Sequence, residues 1–571
     1  MNSPSPWISR PLGVLVIALV CLGPCWARAA DAPAADSPAG EPAASGPQVL
    51  YNGIELPEPW PPRAKDFPDD PKRPWYLVSP PKLIPIDVGR QLFVDDFLID
   101  RTTLQRTFHR PEFYKGNPVL KPDRPWESMG GRPYAMPFSD GVWYDPQDRI
   151  FKMWYYAGHS GGATCYATST DGLRWEKPNL DVEPGTNIVQ KGWRDSGTVW
   201  LDPSPRDPGE RFKMGLYQRN FRLFRSPDGI HWTLAADGAK TGDRSTLFFN
   251  PFRQRWVFSI RSDSRLGRSR HYWETADFFS FSDAAALRGE FVAWMAADSK
   301  DPPRDDLRTR PQLYNLDCAA YESVLLGLFT IWRGDYRSTP ATPKAKELLE
   351  LGRPKQNSLC VGFSRDGFHW DRTDRRPFLP VSETRGDWNW GNLQSTVPCC
   401  LIVDDRLWFY VSGRAGKSFP GSQNQDAGAS TGLAMLRRDG FASMDAAEGP
   451  GTLTTRPLKF RGKHLFVNLD APEGELRAEA LDEQGRPIAP FDRPRCRPVQ
   501  GNHTRRAVTW EGAQDLSALA GRPVRLRFHL TRGSLYAFWV TPDAAGASYG
   551  YVAGGGPGFA GPIDLPLGAA K

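Results

Sequence analysis

Three carboxylates stand beside Arg or Ser at the ends of apolar runs, in the clusters Arg194-Asp195-Ser196, Asp243-Arg244-Ser245 and Tyr321-Glu322-Ser323. Carboxylates in such pairs suit cleavage of a glycosidic bond, which needs one protonated carboxyl to donate to the leaving oxygen and one ionised carboxyl as base or nucleophile. Asp195, Asp243 and Glu322 are therefore the candidate catalytic residues. Arg244 and Arg261 would favour the charged form of a nearby Asp, whereas a carboxyl packed against Trp or Tyr would hold its proton. Around them, Asn315, Asp317, Trp390, Asn392, Gln394 and Glu127 offer amides, carboxylates and indole. That mixture suits a sugar, whose hydroxyls need acceptors and donors and whose apolar face stacks on Trp. The competing reading of any one of these Asp residues is a turn cap.

Other chemistries find less support. The eight His are scattered, with no His-Glu-x-x-His and no Cys/His cluster at zinc spacing, so no metal and no cofactor is expected. Gly158-His159-Ser160-Gly161-Gly162 and Gly428-Ala429-Ser430-Thr431-Gly432 both spell Gly-x-Ser-x-Gly, but neither leads from a strand into a helix. Gly556 to Gly561 matches Gly-x-Gly-x-x-Gly with no βαβ unit around it, and Gly416-Lys417-Ser418 lacks the first Gly of a phosphate loop. Net charge is 72 − 65 = +7 over 571 residues, with acidic residues interspersed and no basic block. Nucleic acid is not an expected partner.

Residues so far apart in sequence can meet only if the fold brings them together, and an internal repeat indicates how. Ser-x-Asp-Gly-x-x-Trp occurs at Ser169 to Trp175, Ser226 to Trp232 and Ser364 to Trp370, with a worn copy at Arg437-Arg438-Asp439-Gly440-Phe441. The Asp positions are 57, 138 and 73 residues apart, so one copy is missing, near Glu274 to Phe279. Upstream of each copy lie alternating aromatic and β-branched runs around Asp, Asn or Pro turns, such as Val142-Trp143-Tyr144 with Phe151 to Tyr155. This is a hairpin pattern. Four strands per unit and five units between residues 83 and 450 read as a five-bladed β-propeller. Its inner strands would carry the polar clusters to one axial cavity. Leu83 to Asp100 reads as strand and turn closing the ring, and Lys344 to Leu351 as an inserted helix.

After Pro450 the repeat stops, and Leu458 to Asn468, Glu475 to Leu481, Val524 to Leu530 and Leu535 to Val540 alternate as strands. The fold class is thus all-β, a propeller followed by a β-sandwich over 451–545. A Gly/Pro-rich tail, 546–571, should lie loosely on the surface. At the other end, Arg10, the apolar run Leu12 to Leu22 and Ala27-Arg28-Ala29 read as a signal peptide over 1–29, followed by an Ala/Pro-rich tether over 30–82. An exported protein, periplasmic or extracellular, monomeric and free of the membrane once the signal is removed, is the expectation. Six cysteines then remain, either buried or disulfide-bonded; Cys399 and Cys400, adjacent in a strand, should not be bonded to each other.

Leu92-Phe93-Val94-Asp95-Asp96, Asp243-Arg244-Ser245-Thr246 with Asn250-Pro251-Phe252-Arg253, Tyr321-Glu322-Ser323 and Trp388-Asn389-Trp390-Gly391-Asn392 resemble a group of exported bacterial proteins described as family-32-like. More broadly, residues 83 to 540 resemble the five-bladed propeller glycosidases of glycoside hydrolase families 32, 43, 68 and 130. The resemblance implies a secreted glycoside hydrolase acting on a polysaccharide or oligosaccharide. The Trp-Met-Asn-Asp-Pro-Asn-Gly and Glu-Cys motifs of family 32 are absent, and Arg206-Asp207-Pro208, which spells that family's Arg-Asp-Pro, lies in a hairpin away from the inner strand. The alternatives are a non-catalytic carbohydrate-binding propeller and a protein-interaction scaffold, which would show an apolar, acid-free top face.

Overall fold

In the computed structural model, residues 48–64, 66–158, 162–334, 342–351, 356–416 and 427–566 are described. The signal segment, His159-Ser160-Gly161 and Lys417-Ser418 lie outside them. Five antiparallel sheets form the blades of a propeller. Blade 1 is Ala135–Asp145, Ile150–Ala157, Ala163–Ser169 and Ile188–Gln190, and blade 2 is Gly197–Leu201, Phe212–Gln218, Asn220–Ser226 and Thr233–Asp237. Blade 3 is Thr246–Asn250, Arg255–Ser264, Gly267–Thr275 and Val292–Ala296. In blade 4, Gln312–Glu322, Val324–Trp332 and Asn357–Ser364 are joined by Tyr551–Val552, which pairs with the innermost strand. Blade 5 holds Asn392–Gln394 and Leu401–Val403 on Arg406–Gly416, then Ala427–Arg437, and its outer strand is Glu112–Phe113. The ring is therefore closed by chain from the beginning of the propeller, as expected, but at 112–113 instead of 83–100.

The repeated turns are alike atom for atom. In each, the Ser Oγ accepts the Gly N–H (2.8, 2.9 and 2.9 Å at Gly172, Gly229 and Gly367), and the Asp Oδ1 accepts the next two N–H groups. The Gly φ values of 71°, 81° and 86° are those a side chain resists. Each turn then accepts a hydrogen bond from the preceding blade: Gly172 O from Tyr410 of blade 5, Gly229 O from Trp154 of blade 1, and Phe368 O from Trp294 of blade 3. The worn copy does the same by a side chain, Asp439 accepting from Tyr321 of blade 4. The Asp-Gly turns thus fasten blade to blade. Of the three motif tryptophans only Trp370 is fully buried; Trp175 and Trp232 are half-buried, because the packing aromatic is supplied by the neighbour.

The segments after residue 441 form a seven-stranded antiparallel sheet of Ala442–Thr455, His464–Leu481, Val499–Val508 and Arg525–Thr541 with the N-terminal strands Gln91–Leu92, Ile99–Thr102 and Gln105–Phe108. The four strands expected at 458–468, 475–481, 524–530 and 535–540 are instead a short strand Leu458–Lys459, which pairs with Ile84–Pro85, and two long strands, His464–Leu481 and Arg525–Thr541, whose pairing carries register shifts such as that between Asp470 and Glu475. The stretch read as a tether is packed from residue 48: Leu50, Ile54, Leu56, Tyr76 and Leu77 join the apolar cluster of this sheet. The described part of the tail, to residue 566, is packed too, with Val552 fully buried in blade 4 and Gly554 against Cys400 and Leu401. Composition alone hid these few large apolar residues among Pro and Gly. The inserted helix is Pro343–Glu350, and Gly428 to Gly432 lies inside a strand, where Gly432 leaves room for Trp388. All six cysteines described are free and buried. No helix among the described residues is long and apolar enough to cross a membrane.

Candidate functional site

The inner-strand ends of all five blades meet in one polar cluster. Its hub is Ser139 of blade 1, whose Oγ donates to Asp317 Oδ2 at 2.7 Å and accepts from Arg244 Nη2 at 3.0 Å and Asn315 Nδ2 at 3.1 Å. Ser395 of blade 5 donates to the same Asp317 oxygen at 2.6 Å. Arg244 Nη1 also donates to Phe138 O at 2.9 Å, and its guanidinium lies 4.0 Å from the Phe138 ring centre. Arg270 crosses beneath, donating to Arg244 O and, at 3.2 Å, to Asn315 Oδ1. Blade 2 joins through Arg194, whose fork embraces both oxygens of Asp140 and whose Nε donates to Asp195 O at 2.8 Å.

Local backbone geometry is set by these contacts. Phe138, Ser139 and Arg244, none of them Gly, have φ of 44°, 72° and 64°. Such conformations cost on the order of 1–3 kcal/mol each and persist only where surroundings enforce them, commonly at sites that bind or react. Here the three strained residues bond to one another. Gly197 is required for a related reason: a Cβ there would stand 2.4 Å from Asp140 Oδ1.

Two of the three expected catalytic residues belong to this cluster. Burial pushes the Asp195 carboxyl up, and the neighbouring charge of Asp243 pushes it further, with Arg244 opposing. Asp243 Oδ1 is 3.1 Å from Arg261 Nη1 and 3.7 Å from Arg268 Nη1, an ion pair with the Asp side chain 37% exposed. One carboxyl held towards its neutral form beside one within ion-pair distance of arginine is the asymmetry that acid–base chemistry uses. Burial also raises the carboxyl of Asp140, against the opposing pull of Arg194.

Glu322 is not brought to this cluster. It lies five residues beyond Asp317 on the same strand, about 16 Å away at extended spacing, and its partners are Arg438 (3.0 Å), the Arg90 N–H (3.0 Å) and Ser548 Oγ (2.7 Å). Glu127 is likewise apart. Its carboxylate accepts from the Asp123 and Arg124 N–H groups, Tyr155 Oη and Lys177, which leaves it a capping role on the 3-10 segment Pro125–Gly131. Among the expected binding residues, Arg244, Arg261, Asn315 and Asp317 belong to the cluster, while Asn392 and Gln394 lie buried on the innermost strand of blade 5 that leads to Ser395. Trp390 is 3% exposed.

Ser139 and Asp140 were not anticipated, although Ser139-Asp140-Gly141 precedes the Val142-Trp143-Tyr144 strand as Asp195 and Asp243 precede theirs. Trp193 was also missed. It is 46% exposed, two residues before Asp195, and rests edge-on against Tyr217. Several buried polar atoms here have no protein partner: Asp243 Oδ1 (in ion-pair range only), Asp317 Oδ1, Arg244 Nε, Asn392 Nδ2 and Gln394 Oε1. Buried groups are rarely left so, and the exceptions mark places where water or a ligand completes the set. Among the described residues, no His/Cys/Asp/Glu group is arranged to hold a metal ion.

The fold is similar to solved glycoside hydrolases. A structure of the GH130 family of mannoside phosphorylases, which contains glycoside hydrolases that target β-1,2 mannosidic linkages in Candida mannan, aligns at 13% identity over 59% of this chain and 97% of that one, with TM-score 0.39. A GH32 β-fructofuranosidase from Bombyx mori aligns at 10% identity over 76% and 94%, TM-score 0.34. The catalytic domain of a GH62 α-L-arabinofuranosidase from Coprinopsis cinerea aligns at 13% over 57% and 97%, TM-score 0.37. No protein-family model and no curated protein matches the chain.

Proposed function

We propose that this protein is an exported glycoside hydrolase that cleaves a polysaccharide or oligosaccharide at the propeller axis. The observation that carries the reading is the pair Asp195 and Asp243: two carboxyls on adjacent blades, close enough to influence each other's charge, one pushed towards protonation by burial and the other paired with Arg261. Asp195 gives its proton to the leaving glycosidic oxygen as the C–O bond breaks, and Asp243, as carboxylate, attacks the anomeric carbon or takes a proton from the attacking water. Asp140 and Arg194 position Asp195 through its carbonyl, while Arg244, Asn315 and Asp317 bind sugar hydroxyls. Trp193, exposed at the rim, takes the stacking role first assigned to Trp390. Export rests on the sequence of residues 10–29.

The test is release of reducing ends from a broad glycan panel by the pure protein and by Asp243→Asn. Turnover abolished in the variant supports the reading. Sugar binding without turnover in the unaltered protein would leave a binding module in its place.

A further inference from the structure

The axial polar cluster is not the only place where charged groups from distant segments converge. A groove of about 510 Å³ runs between the blade 5 end of the propeller and the Val499–Val508 strand of the C-terminal sheet, within the size range of small-ligand sites. Its charged lining is Arg110, Arg406, Arg437 and Arg505 against Glu112 and Asp405. Every lysine-type charge is missing; the cations are all guanidinium.

Their hydrogen-bond partners determine what charge the groove presents. Arg437 is fixed as a floor, its guanidinium 4.8 Å from the Tyr536 ring centre, donating to Asn468 Oδ1 at 2.9 Å, to Asn502 Oδ1 and to Leu469 O at 3.1 Å. All three acceptors are neutral, so a largely buried cation keeps its charge uncompensated by any bonded carboxylate. Arg110, Arg406 and Arg505 are exposed, and their guanidiniums make no hydrogen bond or ion pair among the described residues, while Asp405 is already bound by Thr504. Four guanidiniums from four chain segments, none of them ion-paired among the described residues, converge on one recess.

We infer that this groove binds the acid groups of an acidic oligosaccharide, carboxylates or sulfates, at a site separate from the axial carboxylates. Planar guanidinium forks match both oxyanions bidentately, which an ammonium does not. The saccharide as carrier rests on the proposed function; the anion preference rests on the groove alone.

Calorimetric titration with tetragalacturonate, with its fully methyl-esterified form and with a sulfated tetrasaccharide separates these points. The expected result is binding of one or both acidic probes, at least tenfold weaker for the neutral ester, weakened by raising salt from 50 to 300 mM. Arg406→Ala/Arg505→Ala should lose at least tenfold in that affinity, and Asp243→Asn should keep it. Preference for carboxylate or for sulfate identifies the acid group. Equal affinity for acid and ester, or affinity unchanged in the double arginine variant, overturns the inference. So does failure of both acidic probes to bind, and hydrolysis of neutral glycans with its loss in Asp243→Asn then still stands or falls by itself.

Discussion

Two buried charged networks in this protein are built from the same residue types and end differently. At the axis, Asp140, Asp195, Asp243 and Asp317 meet Arg194, Arg244, Arg261 and Arg270; some 16 Å along the blade 4 strand, Glu322 and Asp439 meet Arg90 and Arg438. In the second network the acid oxygens are consumed. Glu322 accepts from Arg438, the Arg90 N–H and Ser548, while Asp439 accepts from Arg90, Tyr321 and Asn468, with the Arg90 guanidinium laid 4.2 Å from the Trp539 ring centre. These residues tie the propeller to strands from both ends of the chain. At the axis, Asp243 Oδ1 and Asp317 Oδ1 accept no hydrogen bond, whereas left-handed backbone is common to both networks, at Phe138, Ser139 and Arg244 in one and at Glu322 and Asp439 in the other. A network whose acid oxygens are all taken fastens; one whose acid oxygens are left over has capacity for a ligand.

The largest effect that tests this contrast is on rate. Asp243→Asn and Asp195→Asn should each lower kcat by about 10² to 10⁴ on a substrate from the glycan panel, with thermal unfolding nearly unchanged. Because the Asp195 carboxyl is raised and is the proposed acid, activity should fall as pH rises through its titration, and Asp195→Asn should abolish that limb of the profile. Loss of activity accompanied by loss of fold would show that the axial cluster is a fastening as well.

The opposite signature is expected at the closed network. Glu322→Gln leaves two buried guanidiniums short of a counter-charge and should cost about 3–5 kcal/mol in denaturant unfolding, with kcat per folded molecule within a few-fold of the parent. A rate loss of a hundredfold without destabilisation would return Glu322 to the chemistry.

Asp371 gives a smaller effect with a defined pH dependence. Burial pushes its carboxyl up to about 6, with Asp95 adding to the rise. A raised carboxyl favours the neutral form in the fold, so the cost of charging it is absent below the ordinary carboxylate range near pH 4, grows between pH 4 and 6, and is constant above. Asp371→Asn should therefore match the parent near pH 4 and be more stable by roughly 2–3 kcal/mol at pH 7 in urea titrations. A stability difference independent of pH would contradict this. Smallest is the turn carboxylate: Asp171→Ala, in an exposed copy, should cost about 1 kcal/mol, and Asp366→Ala, in the buried copy bonded to His369 and Trp75, more than that.

Much of the architecture was legible because its information is local. An Asp-Gly turn with Ser two residues before it specifies its own hydrogen bonds, and repeating it at a spacing of 57 to 73 residues specifies blades. The positions of Asp195 and Asp243 followed from the same regularity. Asp140 follows it too, but the bulge at Phe138 and Ser139 displaces the first inner strand from the repeat pattern.

Tertiary structure decided what no local pattern encodes. Glu322 and Asp317 alternate on one strand with equal chemical promise, and only the neighbours supplied by Arg90, Arg438 and Ser548, up to 232 residues away, made one of them a staple. Residues 48–82 and the tail after 545 looked unstructured by composition, yet a few large apolar side chains found surfaces built by distant strands. Sequence determines pairings that close within a few residues because their geometry is carried by the chain itself; burial and charge state depend on the sum of contacts from five blades and a second sheet, which exist only once the whole chain has folded.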